Sequence, residues 1–176
     1  MNEEQIIHWS LIISQIRRII MNQEMERQKS VELTKKLADM EGRRPRLYMA
    51  DMEEDHSKEE RKLAATTFAD GGWDVDVGSM ETPEDTARHA IENDVHFIYF
   101  STDSPHRVRL TVELERALTL QGRDDILIAL QQGEEKEKET LFRYGIAAVF
   151  PKDYPLEQAS LTMLGLLMAQ MENENE

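Results

Sequence analysis

Three short stretches hold the side chains that could do chemistry. The stretch "EEDHSKEER", residues 53–61, sets Asp55, His56 and Ser57 side by side. An Asp-His pair can bind a metal ion, orient a cofactor or relay a proton. The plainer reading is a solvated acidic loop in which Asp55 or Ser57 caps the helix that follows. The stretch "STDSPHR", residues 101–107, holds Ser101, Thr102, Asp103, Ser104 and His106. These have the composition of a Ser-His-Asp triad. No G-x-S-x-G elbow accompanies them, however, and hydroxyls at a strand end ordinarily cap backbone groups. The stretch "QQGEEKE", residues 131–137, opens with Gln131 and Gln132 where a phosphate-cradling loop needs glycine. No catalytic set emerges from the three.

The elements that position these loops follow from punctuation and period. "RLYMADM" reads as a strand and "KEERKLAATTFADGG" as a helix stopped by Gly71 and Gly72. "WDVDVG" is a second strand. Thr82 as cap, Pro83 in the first turn and the acids Glu84 and Asp85 open the next helix. "VHFIYFS" is a near-continuous apolar run, the mark of a buried central strand. A helix ending at Gly122, the strand "DILIAL", a helix ending at Gly145, the strand "IAAVF" and a last helix complete the series. Strands alternating with helices predict a parallel sheet covered on both faces. The expected fold is α/β and flavodoxin-like, a doubly wound, Rossmann-like five-stranded sheet of order 2-1-3-4-5. Such sheets hold ligands at the carboxyl ends of their strands. The three chemical stretches fall at the ends of strands 1, 3 and 4.

Residues 1–41 stand apart and contain neither Gly nor Pro. Ile6, Trp9, Ile13, Ile16 and Ile20 step by 3, 4, 3, 4, an a/d seam, and Ile12 and Ile19 widen it. Leu33, Leu37 and Met40 share one face further on. The segment is expected as one long bent helix or a helical hairpin. Its stripe either folds back on the rest of the chain or pairs with another chain, in a homo-oligomer or with a partner protein. The organisation expected is a helical extension at 1–41, an α/β domain at 42–170 and an acidic tail at 171–176.

Composition excludes several functions. With 21 Lys+Arg against 35 Asp+Glu, the net charge is −14, which repels nucleic acid and anionic lipid. There is no Cys, so thiolate chemistry and disulfides are out. No G-x-G-x-x-G or G-x-x-x-x-G-K-[ST] occurs. No apolar run is long enough to span a membrane, and "MNEEQ" does not begin a signal peptide. A cytoplasmic protein is expected. A phosphorylatable receiver would want acids after strand 1, an Asp after strand 3 and a Lys after strand 5. Asp51, Glu53, Glu54, Asp103 and Lys152 offer only a loose match.

Residues 43 to about 165 resemble the cobalamin-binding domain of the methylmalonyl-CoA mutase family, found as a C-terminal domain or small subunit. The pieces that carry the resemblance are "RRPRLYMADM", "ATTFADGGWDVDVGSMETPEDTARHAIENDVH", "LTVELERAL", "GRDDILI" and "YGIAAVF". The resemblance implies three cofactor motifs. D-x-H-x-x-G follows strand 1, its His ligating cobalt and its Asp orienting that His. S-x-L follows strand 3, and a Gly pair after strand 4 lets the nucleotide tail lie against the backbone.

This sequence departs from all three. Ungapped alignment keeps Asp55 but puts Ser57 at the His position and Glu60 at the Gly position. A compensated one-residue shift would restore His56 as the cobalt ligand, with Glu54 and Glu59 in the other places. Ser101 is kept while Asp103 replaces Leu, and Gln131 and Gln132 replace both glycines. The departures imply a degenerate cobalamin fold without bound cofactor, acting as a non-catalytic subunit, regulator or adaptor. The alternative is an adenosylcobalamin-carrying small subunit of an acyl-CoA mutase-type isomerase, with His56 on cobalt. Substrate chemistry would then sit on a large-subunit partner.

Overall fold

The structure is a computed structural model, and it describes residues 1–80 and 82–176. The elements alternate as β1 (Arg46–Asp51), α2 (Lys58–Asp70), β2 (Asp74–Ser79), α3 (Pro83–Glu92), β3 (Phe97–Ser101), α4 (Arg107–Leu120), β4 (Leu127–Gln131), α5 (Glu135–Arg143), β5 (Ala148–Phe150) and α6 (Leu156–Glu174). A long helix, α1 (Glu3–Glu41), precedes them. The sheet is parallel throughout, in the order β2-β1-β3-β4-β5. Fold class and strand order are those expected from the sequence.

The alternation of side chains on β3 explains the two-sided core. Ile98 and Phe100 join one apolar cluster with Leu114 of α4 and Leu141 of α5. Phe97 and Tyr99 join the other, with Phe68 of α2, Met163 of α6 and Leu37 of α1. All five β3 residues are buried, so the strand needs apolar side chains on both faces. Thr82 caps α3 as read, its hydroxyl accepting from the Asp85 N–H at 3.0 Å.

Of the two forms open to residues 1–41, the structure has one continuous helix. Asn2 and Gln5 form a reciprocal capping box at its start, and Gly42 ends it in the left-handed region at φ 84°. Its two halves differ. Ser30, Thr34 and Leu37 are buried against the sheet domain, while Ile6, Trp9, Ile13, Ile16 and Ile20 are 48–58% exposed.

A buried relay fastens the second half. Trp73 Nε1 donates to Ser160 Oγ at 2.8 Å. The Ser30 hydroxyl lies 2.7 Å from Ser160 Oγ and donates to the Gly71 carbonyl at 2.8 Å. With Ser30 donating to the carbonyl, Ser160 must donate to Ser30, so every polar atom in the chain is used. The Gly71-Gly72 pair does more than stop α2. A Cβ on Gly71 would stand 2.7 Å from Ser30 Oγ, and one on Gly72 would strike Thr34. At the far end of α1, His96 accepts the Arg46 N–H on Nδ1 at 2.9 Å, which leaves Nε2 to donate to Glu41 at 2.6 Å.

Candidate functional site at the carboxyl ends of β1, β3 and β4

Strand order brings the three stretches together, because β3 lies between β1 and β4. Ser101 and Gln131 are direct register partners at the ends of β3 and β4. Gln132 follows with φ 70°, a conformation that turns the chain sharply at the sheet edge. Its amide Nε2 donates to Ser57 Oγ at 2.9 Å and to Ser101 Oγ at 3.1 Å. Ser57 and Ser101 are each 3% exposed. One side-chain amide therefore ties all three loops.

Gln131 is committed as fully. Its Oε1 accepts from the Tyr99 hydroxyl at 2.7 Å. Its Nε2 donates to the carbonyls of Tyr154 at 3.0 Å and Pro151 at 3.2 Å, with Lys152 at 3.4 Å. Burial pushes the Tyr99 phenol well above its usual range, so it remains a donor. Gln131 thus pins the β5–α6 loop to the end of β4.

The first loop divides. Asp55 turns inward, its side chain 1% exposed and paired to Arg61 Nη1 at 2.6 Å. Its other oxygen accepts the Ser57 N–H at 2.8 Å, a local turn just outside α2 and not the helix cap expected of Asp55. Ser57 itself holds the N-cap position of α2 without a side-chain capping bond. His56 turns outward, its side chain 83% exposed. Its backbone N–H donates to Asp103 Oδ1 at 2.8 Å, while its ring stays 3.9 Å from the same carboxylate. That N–H is the main cause holding the Asp103 carboxyl below its usual value.

The predicted residues therefore form two sets. Asp55, Ser57, Ser101, Gln131 and Gln132 face inward, and His56 and Asp103 form an outer pair. No triad assembles in the second loop. Ser104 donates to the Glu53 carbonyl at 2.5 Å, and its N–H is taken by Thr102 Oγ1 at 3.0 Å. His106 lies 3.6 Å from Glu54. Among the described residues no group of three or more His, Asp and Glu has metal-binding geometry. Tyr99 and Arg61 belong to the inner set and were not anticipated. An Arg one turn inside an acidic helix start was the available signal for the second.

Beside the inner set lies an open cleft of about 420 Å³. Ser101 and Gln131 border it, with Leu63 and Thr67 of α2, Tyr154 before α6 and Gln23 of α1. His56 is not among its lining residues.

No family model matches the chain. Among curated proteins, a probable methylmalonyl-CoA mutase large subunit from Mycobacterium bovis is 38% identical over 147 residues, covering 81% of this chain and 19% of that protein. A methylmalonyl-CoA mutase large subunit from Streptomyces virginiae is 37% identical over 151 residues, covering 82% of this chain and 21% of the relative. A solved structure described as a novel cobalamin-binding protein, from Desulfitobacterium hafniense, superposes with a TM-score of 0.58. That match is 14% identical and covers 76% of this chain and 66% of the other.

The chain resembles the cobalamin-binding domain of the methylmalonyl-CoA mutase family. It spans about one fifth of the length of the curated mutases, 19% and 21% for the two named. The structural match, at 14% identity, speaks to fold alone. Among the described residues no helix is long and apolar enough to cross a membrane.

Proposed function

We propose that this protein is a mutase cobalamin-domain relative that no longer holds cobalamin through a protein imidazole, and that it serves as a non-catalytic subunit, regulator or adaptor. One observation carries the reading: the Gln132 amide joins Ser57 to Ser101 across the three loops. Ser57 stands where the ungapped family motif has its cobalt-binding His. Its hydroxyl is a poor cobalt ligand beside imidazole, and here it is already an acceptor. Gln131 and Gln132 occupy the places of the two glycines, so side chains stand where bare backbone would meet a nucleotide tail. Asp55, which would orient the His, is paired to Arg61 instead. Glu60 and Asp103 put negative charge near the position of a phosphodiester. These residues do not fit the His-ligated, tail-inserted mode. The α/β unit at 42–170 would then act as a scaffold, residues 1–41 as an oligomerisation or docking element, and 171–176 as an acidic tail. A mutase-type large subunit is the partner class that the family relationship favours.

A second reading rests on His56. Its ring is 83% exposed and uncommitted at 3.9 Å from Asp103, so it is available as a shifted ligand in a cobalamin-carrying subunit of an acyl-CoA mutase. Mixing the purified protein with adenosylcobalamin or hydroxocobalamin, desalting and recording the absorbance spectrum separates the two. No retained cobalamin is the expected result. Retained cofactor whose spectral change disappears in His56→Ala would establish the second reading in place of the first.

A further inference from the structure

The first half of α1 carries apolar side chains with nothing over them. Ile6, Trp9, Ile13, Ile16 and Ile20 are 51%, 55%, 48%, 50% and 58% exposed. Their 3-4-3-4 spacing is the knobs-into-holes seam by which one helix packs on another. We propose that this seam is covered by the same segment of a second copy of the chain, running antiparallel. The inference is independent of whether the domain holds cobalamin.

The charges beside the seam set the direction. Taking Ile6 as position a, the e positions are Glu3, Ser10 and Arg17, and the g positions are Gln5, Ile12 and Ile19. In an antiparallel pair the a residues meet d residues of the other helix, e faces e, and g faces g. Ile6 then packs on Ile16 of the second copy and Trp9 on Ile13. In that same register Glu3 faces Arg17 of the second copy, twice by symmetry, and Ile12 meets its own mate across the dyad. In a parallel pair g faces e, so Arg17 falls beside Ile12 and two Trp9 rings crowd one layer. The antiparallel pair sets Glu3 on Arg17 and Ile12 on Ile12, leaving Gln5 beside Ile19 and Ile20 opposite Asn2, whereas the parallel pair sets the Arg17 charge against Ile12. Among the described residues neither Glu3 nor Arg17 makes an ion pair in its own chain.

The sheet domains favour the same answer. Each chain carries a net −14, and the packed part of α1 begins near Ser30. Antiparallel pairing places the two Ser30 positions roughly 55 Å apart along the helix axis. That is far beyond the screening length of about 8 Å at physiological salt. Parallel pairing would set both acidic domains at one end of the pair.

Sedimentation equilibrium of the full chain is expected to give at least twice the chain mass, and Ile13→Asp to return it to monomer. Because Ile13 is exposed, the domain of that variant should unfold at the wild-type temperature. Arg17→Glu should weaken association about tenfold, and Glu3→Arg combined with it should restore the wild-type constant. The chain has no Cys, so a spin label on Asn22→Cys reports direction without further changes. An antiparallel pair separates the labels by about 30–40 Å, and a parallel pair by less than about 20 Å. A monomeric full chain, association unaffected by Ile13→Asp, or the short label distance would each overturn the proposal.

Discussion

The inner and outer side chains at the strand ends come from the same three loops and have opposite fates. Ser57, Ser101, Gln131 and Gln132 are bonded across the sheet edge, and Asp55 is paired to Arg61 of α2. His56 and Asp103 lie toward solvent and share one backbone hydrogen bond. His56 is adjacent to both Asp55 and Ser57 in sequence, yet it alone of the three turns out. Composition identifies a loop, while register and backbone conformation decide which of its side chains can meet. Ser101 and Gln131 meet because β3 and β4 pair them. Gln132 reaches back because its φ of 70° turns the chain there.

If the inner set is a structural knot, breaking it should cost stability, and breaking the outer pair should not. The largest loss is expected for Arg61→Ala. It strands the Asp55 carboxylate, 1% exposed, without its 2.6 Å partner, and about 3 kcal/mol should be lost in urea unfolding. An unchanged midpoint would remove Asp55 from the inner set. Next is Gln131→Leu, which keeps bulk but leaves the buried Tyr99 hydroxyl without its acceptor and three loop carbonyls without their donor. A loss of about 2 kcal/mol is expected by the same measurement.

The smallest effect belongs to the outer pair. The His56 N–H, donating to its carboxylate, holds the Asp103 carboxyl below its ordinary value. A carboxyl with a depressed folded value contributes stability above its unfolded value and loses it as pH falls through the folded one. Asp103→Asn should therefore lower the melting temperature slightly at neutral pH, with the difference from wild type vanishing as the pH falls through the carboxyl range, and it should stay small because the side chain is 46% exposed. A large shift at neutral pH would erase the distinction between the sets.

Local signals carried the scaffold. Gly71, Gly122 and Gly145 end helices, Thr82-Pro83 starts one, and apolar runs mark the strands, because caps and alternation act within a few residues. What was not legible depends on contacts far along the chain. The partner of Gln132 lies 75 residues away at Ser57, and the sequence alone showed only an amide where glycine belonged. Whether residues 1–41 turn back in a hairpin was also undecided locally. Ser30 meeting Gly71 and Ser160 secures the second half of the single helix.

The relay from Trp73 to Gly71 has a practical consequence. The protein has two tryptophans, one at each end of this division of labour. Trp73 is 2% exposed, its indole N–H held by Ser160, so its emission reports the fastening of α1 to the domain. Trp9 is 55% exposed on the free half, and its emission reports what settles there. Blue shift and loss of quenching in the second, with the first unmoved, would distinguish an arm being covered from a domain being rearranged. The molecule carries its own two-channel optical reporter.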